Sequence, residues 1–449
     1  MSPPPVELDH AAGSPTDALL TRARLLDPRL GLDRLGDVLL RGGHVAELGE
    51  PGALESPAGA ERVDATGLVA VPAFVDPHVH LRTPGLEHVE DVDSGTRAAA
   101  AGGFCAVLAM PNTQPVVDSA PLLRSLRERA RESAHVPTGF LAAITQGQRG
   151  DALTEMAELA DSGAVAFSDD GLPVHRAGVL RLALQYQRLA GRVLALHEED
   201  PSLSGSGVMH EGAVSAQLGL AGIPSISEST TISRDAAIAG YEGGLLHFQH
   251  LSALESVDAV EQAKGAGIAV SAEVSPHHLT LTDEDVRSLD TNKKMNPPLR
   301  AQRDRSALVD GLRSGTIDCV ATDHAPHPSE EKEQPFEIAP MGVTGLETAF
   351  AALHTELVLP GVLDLDLLVE RMTAGGEPFG LATPSLAVGS PANLCLIDLD
   401  AQWLVGEAGY ESRSANSCFA ARRLKGRVRM TIAGGSVAYR ERTFALGVV

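Results

Sequence analysis

The feature that most narrows the fold is an alternation. From about residue 73 onward, short apolar runs take turns with longer stretches of helical periodicity. Eight runs read as strands, at 70–80, 104–112, 138–145, 164–170, 192–197, 245–251, 268–274 and 317–323. Helical stretches between them include 120–134, 152–162, 178–190, 233–241, 253–264 and 306–314. Neighbouring parallel strands need a long crossover, usually a helix, so this order implies βα units and a parallel sheet. Eight such units close most economically into an α/β fold of the (β/α)8, TIM-like barrel class, here expected over 71–387. The flanks differ. Residues 18–70 and 388–449 read as short strands and turns, with glycine pairs Gly42-Gly43 and Gly434-Gly435 as hairpin turns. They are expected to pair into one small β-sandwich-like domain built from both chain ends. Residues 1–17, rich in Pro and Ser, lack a basic n-region and an apolar h-region. They are expected to be a disordered tail and not a secretory signal.

Charge and cysteine usage exclude several functions. The 449 residues carry 36 basic and 59 acidic side chains, a net −23. Nucleic acid and anionic membrane both need basic surface, so neither is expected as a partner. The longest apolar run, 98–110, is too short for a membrane span. Cys105, Cys319, Cys395 and Cys418 lie far apart. That rules out a disulfide scaffold or a C-x-x-C site, and suits a cytoplasmic protein. No G-x-S-x-G elbow and no P-loop occur.

The candidate chemistry sits at strand ends. The first run closes on His78-Val79-His80, and alternate residues of a strand share a face, so both imidazoles can grip one metal. The fourth closes on Asp169-Asp170, the fifth on His197, the sixth on His250 and the eighth on Asp323. His247 reads as a core residue or a neighbour of the ligands. Each feature alone is weak: a lone H-x-H can be two edge-strand histidines, and Asp169-Asp170 an acidic turn capping the next helix. As a set, His78, His80, Asp170, His197, His250 and Asp323 fall where a barrel delivers residues to its C-terminal face. Imidazole and carboxylate donors without cysteine suit zinc or a similar divalent ion. Six ligands exceed one tetrahedral site and suffice for two ions sharing a carboxylate.

Longer motifs carry a resemblance. They are Val75-Asp76-Pro77-His78-Val79-His80-Leu81-Arg82, Ala109-Met110-Pro111-Asn112-Thr113, Val274-Ser275-Pro276-His277-His278-Leu279, Lys294-Met295-Asn296-Pro297-Pro298-Leu299-Arg300, Ala321-Thr322-Asp323-His324-Ala325-Pro326-His327 and Gly342-Val343-Thr344-Gly345-Leu346-Glu347. On these the chain resembles the dihydroorotases of the amidohydrolase superfamily, of the bacterial large-barrel type with an aspartate metal bridge. The resemblance implies an enzyme of de novo pyrimidine (UMP) biosynthesis that interconverts N-carbamoyl-L-aspartate and L-dihydroorotate. It implies that His78, His80 and Asp323 hold one zinc, that His197 and His250 hold a second, and that Asp170 bridges them. Asp169 stays open as the alternative bridge. Many relatives use a carbamylated lysine instead, but the first lysine here is Lys264, beyond the fourth strand. Asp323 is the implied catalytic proton carrier. His80, Arg82, Asn112, Asn296 and His327, with backbone groups near Met341 and Gly342, are the implied substrate contacts.

Some positions depart from the family's usual pattern. Thr83 stands where glutamate is frequent, Met341 where phenylalanine is, and Glu198-Glu199 where Cys-Glu is. None removes an expected ligand. The long stretch 325–341 is expected to form a mobile flap carrying His327 over the site. Rival readings are a hydantoinase, dihydropyrimidinase or allantoinase, and an inactive scaffold for aspartate transcarbamoylase. A homodimer, and an active chain associating with that transferase, stay open.

Overall fold

Apolar runs buried on both faces form parallel strands because crossover helices cover the sheet from outside. The computed structural model describes residues 6–445. Eight strands follow in order: Phe74–Val79, Phe104–Ala109, Thr138–Phe140, Phe167–Ser168, Leu194–Leu196, Leu246–Phe248, Val270–Val274 and Cys319–Val320. They pair as a group of three and a group of five. Parallel bridges between Ala142 and Phe167, and between Val79 and His324, join the groups into a closed ring. The second joint carries a 2.9 Å bond from the His80 N–H to the His324 carbonyl. Closure leaves no free sheet edge in the barrel.

Several strands are shorter than their apolar runs. The run at 138–145 is regular strand only over Thr138–Phe140. Beyond it the N–H groups of Ile144 and Thr145 turn to the Asp169 carboxylate at 2.8 and 3.1 Å.

Helices cover the ring. Ala177–Ala190 buries Val179, Leu180, Ala183, Leu184 and Gln187, a stripe at helical spacing, and ends on Gly191 in the left-handed region. Val92–Ala101 starts with a capping box between Asp91 and Ser94. Among the described residues no helix is long and apolar enough to cross a membrane.

The two chain ends build one eight-stranded sheet. At its centre Val69–Pro72 pairs in parallel with Ala18–Asp27 and antiparallel with Leu394–Leu404. The sheet curls until its far end returns. The Val45 N–H donates to the Ser390 carbonyl, and the Gly389 N–H to the Val45 carbonyl. Leu20, Leu25, Val38, Leu40, Leu394, Leu396, Met430 and Ile432 fill the interior of this curl. A Cβ on Gly43, whose φ is +75°, would meet the Gly435 carbonyl oxygen at 3.0 Å, so both turns need glycine to pass each other.

Residues 1–5 lie outside the described residues, but 6–17 differ from the expected tail. Asp9 exchanges two backbone bonds with Thr138. Its carboxylate takes Arg127 at 2.6 Å and Arg131 at 2.8 Å, both from the helix Ala120–Ser133. Leu8 packs on the barrel core. Pro and Ser content hid this, because the anchoring partners lie more than a hundred residues downstream. Asp9→Ala, which strands two arginines, is expected to lower the unfolding free energy by about 2 kcal/mol in a urea titration.

Candidate metal centre and substrate pocket

Five strand ends converge on one face of the barrel. Asp170 lies at the middle. Its Oδ1 is 3.5 Å from His78 Nε2, 3.5 Å from His250 Nε2 and 3.8 Å from His197 Nδ1, and its Oδ2 is 3.5 Å from His80 Nε2. Asp323 Oδ1 is 3.2 Å from His80 Nε2 and 3.5 Å from His78 Nε2. His197 Nδ1 and His250 Nε2 face each other at 3.0 Å. Among the described residues two groups have metal-holding geometry, His78–His80–Asp170 and Asp170–His197–His250, with Asp170 common to both. Asp169 points elsewhere: its carboxylate accepts from Ile144, Thr145 and the Thr145 hydroxyl.

The outer partners decide which ring nitrogens face inward. The His80 Nδ1–H donates to Asn112 Oδ1 at 2.9 Å, which leaves Nε2 toward the two aspartates. The His197 Nε2–H donates to Glu199 at 3.1 Å, which leaves Nδ1 inward. His78 Nε2 is buried with no hydrogen-bond partner. Imidazole lone pairs and carboxylate oxygens thus crowd one small volume. Such an arrangement needs positive charge within it, either protons on the rings or metal ions. The N/O donor set and the unpartnered Nε2 fit a divalent ion of the zinc class.

Electrostatics agree. Burial alone would raise Asp170, but His78, His250 and His80 hold it well below the usual carboxylate range. Asp323 is likewise lowered against burial by His80, His78 and His250. Burial opposes protonation of His78, yet Asp170 and Glu273 push it well up. Both carboxylates are therefore ionised and face the rings as negative charge.

Backbone geometry is unusual at the same place. Arg82, His250 and Asp323 have φ of +53°, +34° and +48°. Left-handed conformations at non-glycine residues cost about 1–3 kcal/mol each and persist where surroundings enforce them. One restraint is Asp76, fully buried, which accepts from the N–H groups of His78 and Thr322 and from the Thr322 hydroxyl. It clamps the first strand end to the eighth.

Above the centre opens a cavity of about 260 Å³. It is lined by His80, Arg82, Asn112, Asp170, His197, His250, Asn296, Asp323, His327, Met341 and Gly342. Every residue expected to touch substrate lies on its wall, though several are already engaged. Asn112 sits between His80 and Asp170, its Nδ2 3.2 Å from Asp170 Oδ2, so it orients ligands as well as lining the cavity. Asn296 donates to Glu199 at 2.7 Å. The Gly342 N–H is taken by the Lys294 carbonyl at 2.9 Å, and the Met341 carbonyl lies 3.0 Å from His327 Nε2. The expected backbone contacts near Met341 and Gly342 are therefore largely committed to the protein itself. Arg82 is fixed by its Nε on the Pro326 carbonyl at 3.1 Å and lies 3.4 Å from His327. Burial and the Arg82 charge push His327 down to about 4, so it is neutral at pH 7.

The stretch 325–341 is pinned from below. Lys294 Nζ donates to the carbonyls of Phe336, Glu337 and Ala339. Lys332 Nζ donates to those of Thr291, Lys294 and Pro340. Two buried ammonium groups thus hold the segment that carries His327.

Two carboxylates at the centre were absent from the sequence reading as functional groups. Glu199 supports His197, and Glu273 contacts His78 Nδ1 at 2.7 Å. The available signal for Glu273 was a charged residue inside an otherwise apolar run, which is rare without a partner.

Comparison with known proteins gives the family. Residues 67–256 match the family model described as Dihydro-orotase-like. The chain is 43% identical over 422 residues to a dihydroorotase of Trichlorobacter lovleyi, covering 94% of this chain and 99% of that one. It is 45% identical over 421 residues to a dihydroorotase of Anaeromyxobacter sp., covering 93% and 96%. Among solved structures, L-hydantoinase (dihydropyrimidinase) from Arthrobacter aurescens superposes with a TM-score of 0.84 at 25% identity, covering 95% of this chain and 96% of that one. Dihydropyrimidinase from Brevibacillus agri gives 0.81 at 22% identity, covering 95% of each chain, a likeness of fold alone. With near-complete coverage at such identity, the chain belongs to the dihydroorotase family.

Proposed function

We propose that this chain is a cytoplasmic, metal-dependent cyclic amidohydrolase that interconverts N-carbamoyl-L-aspartate and L-dihydroorotate in pyrimidine biosynthesis. The observation that carries the reading is Asp170, shared by two histidine groups on the floor of a cavity that also holds Arg82. Relatives named dihydroorotase, which match nearly the whole chain, support it. His78, His80 and Asp323 would hold one zinc, His197 and His250 a second, and Asp170 both. When bound, such ions polarise a carbonyl and make water a stronger acid.

The chain's own residues supply the rest. Asp323, ionised and facing the cavity, takes the proton of the attacking water and passes it to the leaving ring nitrogen. In the synthetic direction the same carboxyl delivers that proton to the departing hydroxyl. Arg82 forks onto the substrate α-carboxylate, and its charge offsets the chain's net −23 locally. Asn112 and Glu199 keep His80 and His197 turned inward. Asn296 and neutral His327 offer polar contacts at the wall without adding charge.

The test is hydrolysis of dihydroorotate beside hydantoin and dihydrouracil, before and after chelation. Dihydroorotate turnover is expected to vanish on chelation and return with zinc. Substrates without the carboxylate leave Arg82 unpaired and are expected to show kcat/KM at least about 10³-fold lower. Comparable turnover of hydantoin would place the chain among the rival cyclic amidohydrolases. A chain without zinc or turnover would instead be a scaffold. A homodimer and association with aspartate transcarbamoylase belong to the same proposal, checked by sedimentation of the chain alone and mixed with the transferase.

A further inference from the structure

We propose that Glu273 is a positioning residue whose single carboxylate aligns ligands of both histidine groups at once. The inference rests on the metal reading of the centre. Glu273 is fully buried on the seventh strand, Val270–Val274. Its Oε1 lies 2.7 Å from His78 Nδ1 and its Oε2 2.9 Å from His247 Nε2. The His250 N–H also donates to Oε1, at 3.3 Å.

The tautomers follow. A carboxylate cannot donate, so both ring nitrogens facing Glu273 carry hydrogen. In the neutral ring that would hold a metal, His78 Nε2 is then the lone pair, and this atom is buried without a partner, 3.5 Å from one oxygen each of Asp170 and Asp323. Gln249 Nε2 lies 3.2 Å from the same His78 Nδ1. Two N–H groups do not bond each other, and the shorter, charge-assisted partner decides the tautomer. His247 Nδ1, in turn, accepts from the Ser271 hydroxyl at 2.8 Å. Ser271, His247 and Glu273 therefore form a braced chain ending on His78.

On the other side, Glu273 holds the backbone of His250, whose φ is +34°. One carboxylate thus steers the ring of His78 and the main chain of His250, one residue from each group around Asp170. Outer partners of this kind set ring orientation and donor strength, and their loss typically weakens metal binding about 10–100-fold.

The test measures zinc affinity of the metal-stripped full chain by competition with a chromophoric chelator, with folding checked by far-UV circular dichroism. Glu273→Gln removes the charge at constant shape and is expected to weaken binding about 10–100-fold. Glu273→Asp keeps the charge but loses the span between the two histidines, and a similar loss is expected. Ser271→Ala leaves Glu273 in place, frees His247 and is expected to cost a few-fold; it stands as the test if the Glu273 variants do not fold. A folded Glu273→Gln chain with wild-type zinc affinity overturns the inference, as does a variant whose only change is a lower unfolding midpoint. If Ser271→Ala is the sole folded variant, unchanged affinity overturns it. A wild-type chain that binds no zinc overturns instead the metal reading beneath it.

Discussion

Asp170→Asn is expected to lower kcat/KM by about 10⁴-fold or more, because one group serves both halves of the centre. The substitution keeps the shape of the side chain and removes its charge. Four imidazole nitrogens lie within 3.8 Å of its carboxylate. An amide would turn an NH2 group toward one of the two histidine groups, where a cation has to sit. The two ions per chain proposed above should therefore fall to one or none, read by elemental analysis alongside kinetics. Asp169→Asn is the matched control. That residue holds the loop at Ile144 and Thr145, so its loss should lower stability more than it lowers the metal content of folded protein. Equal metal loss in both variants would remove Asp170 from its proposed role.

The second large effect is expected at Asp323. If this carboxylate moves the proton, Asp323→Asn should reduce kcat by about 10³-fold while KM for dihydroorotate changes little. The amide keeps an oxygen near His78 and His80, so part of the metal should be retained. Loss of rate should then exceed loss of metal, which separates proton transfer from ligation. A variant within tenfold of wild-type kcat would require another proton carrier. His327, a titratable group on the cavity wall outside the expected ligand set, would be next to test.

How much of this was legible depends on how local the signal is. The six expected ligands stood out because strand ends in a closed barrel share one face, so chain order alone predicts a meeting point. The choice between Asp169 and Asp170 was not local. It turned on a loop twenty-odd residues upstream that captures Asp169. Glu273 escaped because its partner His78 is 195 positions away and no motif links them. The helix Val92–Ala101 was missed for another reason. It buries Val92, Ser94, Thr96 and Ala98–Ala100, its polar stripe is only the pair Asp93 and Arg97, and its last turn merges into the apolar run 98–110. Residues 6–17 looked like a tail because their composition is that of a linker, whereas Asp9 is held by two arginines. For Asp169, Glu273 and Asp9 the missing information was tertiary.

The sheet made from both chain ends has a consequence for biogenesis. Val69–Pro72 cannot acquire its partner Leu394–Leu404 until the ribosome has translated over three hundred further codons. At ordinary elongation rates that is on the order of half a minute. Meanwhile the nascent amino-terminal strands present an unpaired, apolar edge of the kind that molecular chaperones shield. Vectorial synthesis thus makes a late-emerging segment the one that seals an early one.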